Sequence, residues 1–283
     1  MADVPSGPIP PPPPPPEGTP PGPGSLRPRG VGDILSAAFE IYKNNATNLI
    51  VIVAIVVIPL SLISAVIVHY VANSTTTTTS ASGFSVTYTT HSTSSLILGS
   101  LIAAAISVII GAVLQAAIIR AGAEATIGDE VDVETSYRYG FHRLGSVILV
   151  GLLVGLAVAI GFVLLIIPGI IALVFFSVSI PALVVENRRG TKAMGRSWNL
   201  VSGHFWHAFG VIIVAYLIVA VVGGLLGAIG GSNWVVAWIF RAIAQIITTP
   251  FSALVSVLLY LDLRARKEAL TSDVLRSELA AGM

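Results

Sequence analysis

Long stretches without a single charged residue alternate with short stretches that hold nearly all the Asp, Glu, Lys and Arg. The uncharged runs are apolar on every side rather than along one stripe, and about 20 such residues suffice to cross a hydrocarbon core. They predict spans at about 48–71, 96–119, 146–166, 169–185, 210–230 and 240–261, the last holding a single charge near its start. The third and fourth come from one uncharged run of 41 residues, Gly145 to Val185. As a single helix it would be about 60 Å long, roughly twice a bilayer core, so it must fold back. Pro168-Gly169 near its middle supplies the expected turn. Gly230-Gly231-Ser232-Asn233 supplies another between the last two spans.

The polar stretches have characters of their own. Val31 to Asn45 places Ile34, Ala38 and Ile41 on one helical face and begins at a capping Asp33, which predicts an amphipathic helix on the membrane surface. Val131 to Leu144 and the region Glu186 to Phe209 have similar aromatic and basic patterning. Ala72 to Ser95 is instead rich in Ser and Thr, with room for a loose β-hairpin around Gly83. The expected fold class is therefore all-α: a polytopic membrane bundle of six transmembrane helices as three hairpins, with cytoplasmic amphipathic surface helices. Domain organisation follows as a Pro-rich tail over 1–30, a membrane domain over 31–268 and a C-terminal tail over 269–283.

Composition agrees with lipid as the solvent. Only 10% of residues are charged, against about 25% in soluble domains, and mean hydropathy is +0.89. Fourteen of the 15 Lys and Arg residues fall before span one, between spans two and three, between four and five, or after six. The positive-inside rule then puts both termini in the cytoplasm, and the composition suggests a bacterial plasma membrane. No basic surface stands apart from the membrane flanks, so no nucleic-acid partner is expected. The absence of cysteine excludes thiolate chemistry and cysteine-bound metal.

The first 30 residues contain 13 prolines, seven of them consecutive from Pro10 to Pro16. Such a run favours polyproline II or disorder. It reads either as a ligand for a polyproline-binding protein partner or as a plain cytoplasmic tail. The stretch contains no apolar core of a signal peptide.

Few residues suggest chemistry. Arg241 is the one charge inside an expected span, with Gln245 one turn on. It reads either as a lipid or substrate contact in a transport path, together with Gln115 and the helix-kinking Pro59, Pro181 and Pro250, or as a cation snorkelling to outer headgroups. The set Arg188, Arg189, Lys192 and Arg196 reads as anionic-headgroup contact as well as topology determinant. Gly151/Gly155 and Gly223/Gly227/Gly231 have spacing that lets helices approach within or between chains, so a homo-oligomer is compatible. His204 and His207 are three residues apart with only Glu186 as a third ligand, and no metal or other cofactor is expected. No span carries the paired Asp of an intramembrane protease, and no strained Ser turn accompanies His69, so no catalytic residue is assigned.

Four segments carry a resemblance: Arg27 to Asn45 (RPRGVGDILSAAFEIYKNN), Ile167-Pro168-Gly169-Ile170, Arg196 to Trp206 (RSWNLVSGHFW) with Glu186 upstream, and Tyr260 to Glu268 (YLDLRARKE). In order and spacing they resemble the membrane domain of the glycerophosphoryl diester phosphodiesterase membrane-domain family. The resemblance implies a helical membrane domain of poorly defined function. It does not carry over phosphodiesterase activity, because the catalytic His and metal-binding carboxylates of the soluble domain have no counterpart. The proline tail and Ser/Thr loop depart from the family plan. The functional expectation is a non-enzymatic scaffold or accessory protein linked to membrane lipids or partner proteins, with a transporter or lipid-handling permease as the alternative.

Overall fold

The computed structural model describes residues 28–72, 76–79, 85–88, 93–229, 233–268 and 270–281, with side-chain surroundings described outside 64–106. The proline run and the turn at 230–232 lie outside these residues. The described chain is helical apart from one short ribbon. In order it runs α1 (Val31–Asn44), α2 (Ala46–Ala72), β1 (Thr76–Thr79), β2 (Ser85–Tyr88), α3 (Thr93–Thr126) and α4 (Val133–Leu164). Then come α5 (Ile166–Phe176), α6 (Ser179–Glu186), α7 (Thr191–Val201), α8 (Phe205–Ile229), α9 (Trp234–Glu268) and α10 (Ser272–Ala281). β1 and β2 pair antiparallel, Thr76 opposite Tyr88, which is the hairpin expected within the Ser/Thr loop.

Among the described residues, six helical stretches are long and apolar enough to cross a membrane. α9 is the hub: it lies against α1, α2, α3, α7 and α8, while α3 packs along α4. The core gathers at one end, around Leu254, Val257, Leu258, Tyr260 and Leu263 of α9 with Leu49, Ile52, Ile118, Leu183 and Leu200. Most formal charges lie at this same end.

Four boundaries differ from the sequence expectation. Gly30, not Asp33, is the N-cap of α1; Asp33 stands in the first turn, where its carboxylate accepts from the Gly30 amide (3.1 Å). The fold-back falls at Leu165, three residues before Pro168, with φ −165° and ψ 157°. Pro168 stands in the first turn of α5, where a missing N–H removes no helical bond and the fixed φ suits helix initiation, so it starts the returning helix instead of breaking the chain. Backbone contact makes so short a turn possible: a Cβ on Gly161 would lie 2.8 Å from Gly169 Cα.

The segment 131–144 is not a separate surface helix. It is the first part of the 32-residue α4, begun by Asp132, whose carboxylate accepts from the amides of Glu134 (3.2 Å) and Thr135 (3.1 Å). Nothing at Gly145 interrupts the ladder, since one glycine costs a helix only about 1 kcal/mol.

The fourth hydrophobic stretch is discontinuous, α5 and α6 meeting at Ser177-Val178. Carbonyls near the break are covered by hydroxyls: Ser177 Oγ donates to Val174 O (2.8 Å) and Ser197 Oγ to Phe175 O (2.7 Å). Pro181 therefore sits in the first turn of α6, not mid-helix, whereas Pro59 and Pro250 do lie inside α2 and α9.

The glycine spacing also has another outcome than close packing within the chain. Gly151, Gly155, Gly223 and Gly227 all face open space, and Gly231 lies outside the described residues. Close approach occurs at Gly140, where a Cβ would stand 2.7 Å from the Val113 carbonyl oxygen.

Candidate functional site

The charged end is built on α9. Over its last turns Tyr260, Asp262 and Arg264 are buried together with their apolar neighbours. A buried charge costs several kcal/mol unless partnered, so the question is what partners these groups find.

Glu186, the last residue of α6, is the centre. Its Oε1 accepts from Tyr260 Oη (2.6 Å) and Arg196 Nε (2.7 Å), its Oε2 from Arg188 Nε (2.6 Å), and Arg264 Nε lies 3.6 Å away. Arg196, from α7, also pairs with Glu268, which accepts from Arg264 Nε at 3.1 Å. Arg264 then grips Glu278 of α10 with two parallel bonds, 2.6 and 3.0 Å, the fork geometry that makes arginine–carboxylate pairs strong. Three carboxylates and three guanidiniums from four helices and the loop after α6 thus neutralise one another.

A second knot sits beside the first. Asp262 accepts from Arg266 Nε (2.8 Å) and from the backbone amide of Arg29 (2.5 Å), and pairs with His207 Nε2 (2.9 Å). Arg266 closes the ring by donating to Arg29 O (2.6 Å). The chain entering α1 is thereby tied to the end of α9.

A third involves Arg120, 1% exposed near the end of α3. It donates to Glu124 (2.7 Å) and to Leu279 O (3.0 Å), and its guanidinium lies 4.9 Å from the centre of the Tyr139 ring. Arg143 approaches the same ring at 5.7 Å, and Tyr139 Oη donates to Val184 O (2.7 Å). A cleft of about 250 Å³ opens between this knot and α10, lined by Arg120, Glu124, Asp129, Asp132, Arg276 and Leu279. Arg276 bridges it to Asp129 at 3.1 Å.

Outside the helices that could cross a membrane, three shifts follow from these surroundings. Against the burial that opposes it, hydrogen bonds to Glu268 and Glu186 push the Arg196 guanidinium up. The Thr135 hydroxyl and amide hydrogen bonds hold the Asp132 carboxyl below its usual range. Burial, reinforced by Arg266 and Lys267, pulls the His204 imidazole down.

The residues singled out from sequence divide. Arg188 and Arg196 are engaged with Glu186, whereas Arg189 and Lys192 are exposed and form no ion pair among the described residues. Arg241 and Gln245 are exposed on one outward face of α9, between buried Ala242 and Ala244, and Gln115 is exposed on α3. None of them lines the cleft at the charged end. His207 pairs with Asp262 and Glu186 with the arginines, so the two histidines and Glu186 do not form one ligand set.

Sequence reasoning missed Tyr260, Asp262, Arg264, Glu268, Glu278 and Arg120 as interacting groups. Part of the signal was present: Arg120–Glu124, Asp262–Arg266 and Arg264–Glu268 are all four residues apart on helices. The resembling segments meet here too, Arg29 from the first, Glu186 and Arg196 from the third, Tyr260 to Glu268 from the last.

Residues 133–262, from the start of α4 to the buried aspartate of α9, match a family described as a domain of unknown function (DUF7847). No curated protein and no solved structure matches the chain.

Proposed function

We propose that this chain is a non-enzymatic scaffold or accessory protein of a bacterial plasma membrane. It crosses the bilayer six times as three hairpins, keeps both termini in the cytoplasm and is related to the membrane part of the glycerophosphoryl diester phosphodiesterase membrane-domain family. The observation that carries the reading is the lattice around Glu186. Its carboxylates and guanidiniums are committed to one another and join α6, α7, α9 and α10, which suits a rigid platform at the membrane surface. The convergence of resembling segments on that lattice supports the family relation. Arg241, Gln245 and Gln115 take no part in that lattice.

Purification of the intact protein with its lipids and partners tests the scaffold reading: a stoichiometric protein or lipid companion is expected. Substrate flux in proteoliposomes that is lost on Arg241→Ala would overturn it. For orientation, a cysteine introduced at Ser80 should react with an impermeant thiol reagent from outside intact cells. Reaction only after lysis would reverse the topology.

A further inference from the structure

We infer that the outward face of α7, with the loop that leads into it and the first turn of α8, is a receptor for anionic phospholipid headgroups of the cytoplasmic leaflet. Arg189 and Lys192 are the phosphate contacts, and Trp198 and Trp206 are the interfacial anchors. The inference rests on the membrane orientation proposed above and deepens it by naming which cations act and on what.

Four observations carry it. First, the region is depleted of acid: from Asn187 to Leu261 the sequence contains no Asp or Glu. Second, the lattice sorts the four cations of this region. Arg188 and Arg196 are held by Glu186, and Arg196 also by Glu268, while Arg189 and Lys192 are exposed without an ion-pair partner among the described residues. A cation already satisfied by a carboxylate has little to give a phosphate. Third, α7 is amphipathic and docked. Ala193, Ser197, Leu200 and Val201 are buried, while Lys192, Gly195, Trp198 and Asn199 are exposed. Fourth, the exposed indoles belong to a fixed aromatic run. Trp198 stacks on Phe175 at 4.0 Å and Trp206 meets Phe205 edge-on at 5.4 Å, with the two tryptophans 48% and 79% exposed. Exposed indoles and unpaired cations on and around a docked amphipathic helix are the composition of an interfacial element: the rings sit at headgroup level and the cations meet the negative surface potential.

The test uses the full chain, reconstituted in vesicles of equal parts phosphatidylcholine and phosphatidylglycerol, extracted in mild detergent and weighed with its retained lipid. The wild-type protein should retain phosphatidylglycerol preferentially. Arg189→Ala or Lys192→Ala should reduce that preference about fivefold each, and the double variant about 30-fold, as expected for surface cations acting on an anionic leaflet. Lys43→Ala and Arg138→Ala, which remove exposed cations elsewhere at the same end, should leave it unchanged. Circular dichroism and an unaltered elution volume confirm that the variants are folded. Three results would overturn the inference: no preference in the wild type, an equal loss in the control variants, or an unchanged lipid ratio with loss of a co-purifying acidic protein from the double variant. Each leaves the scaffold reading standing, since that reading falls on flux through Arg241 or on the absence of any companion.

Discussion

The two ends of α9 obey different rules. From Leu254 to Ala265 nearly every residue is buried, charged ones included, whereas from Trp234 to Ile247 apolar side chains such as Val235, Ile239 and Ile243 face outward. The same contrast runs through the bundle. Val163 at the α4–α5 turn is 86% exposed and Leu225 of α8 65%, while Leu258 and Arg120 are each 1% exposed. In water the exposed set would be an aggregation hazard; in lipid it is the expected surface, because acyl chains solvate Val and Leu as well as a protein core does. At the apolar end, then, the surroundings complete the structure. At the charged end the protein completes itself, by pairing groups that lipid will not tolerate.

The contrast is sharpest under substitution of Arg264. Replacing it with Ala leaves Glu186, Glu268 and Glu278 crowded without their common cation, and the expected loss is about 3–5 kcal/mol, as for other broken buried pairs. Unfolding in detergent would show it, or the variant would fail to accumulate. Changing Arg264 and Glu278 together to Met should recover part of the loss. A double variant as unstable as the sum of its parts would mean the two groups are not coupled.

Glycine gives a pairwise comparison of smaller size. Gly140→Ala pushes a methyl toward the Val113 carbonyl and should cost about 1–3 kcal/mol through a backbone shift. Gly155→Ala and Gly223→Ala meet open space and should be neutral or stabilising by up to about 1 kcal/mol. Thermal denaturation of the three proteins side by side decides it. A destabilised Gly223→Ala would point to a second chain packed at that face.

Truncating outward apolar residues, Val163→Ala or Leu225→Ala, should change stability by no more than about 0.5 kcal/mol. A larger loss would show that the apolar end is covered by protein rather than lipid.

The smallest expected effect is on pH dependence. The folded state lowers the His204 pKa below 6.5. Its contribution is therefore complete above the unfolded value and is lost as pH falls from about 6.5 through the folded value. A shallow acid-side decline in melting temperature should flatten in His204→Gln, and a slope of the opposite sign would refute the assignment.

Much of the fold was legible because lipid imposes a one-dimensional code: a run of about 20 apolar residues spans, whatever its neighbours do. The helices, the amphipathic α1 and α7 and the need for a fold-back inside Gly145 to Val185 all follow from that. Local details failed where one residue has two uses. Pro168 reads as a turn but starts a helix, and Gly151/Gly155, read as a packing motif within or between chains, face open space and pack against nothing within this chain. Of the candidate contacts, the sequence marked Arg188, Arg189, Lys192 and Arg196 as one class, because charge is all that a residue letter declares.

By itself, then, the sequence determined the solvent of this protein and which segments must meet it, since transfer free energy is a property of each segment alone. Which charges are spent and which are free was decided only in three dimensions. Glu186 and Glu278 lie 78 and 14 residues from Arg264 along the chain, yet both end within 4 Å of its guanidinium. Pairing energy depends on distance and burial, and neither exists until the helices have packed.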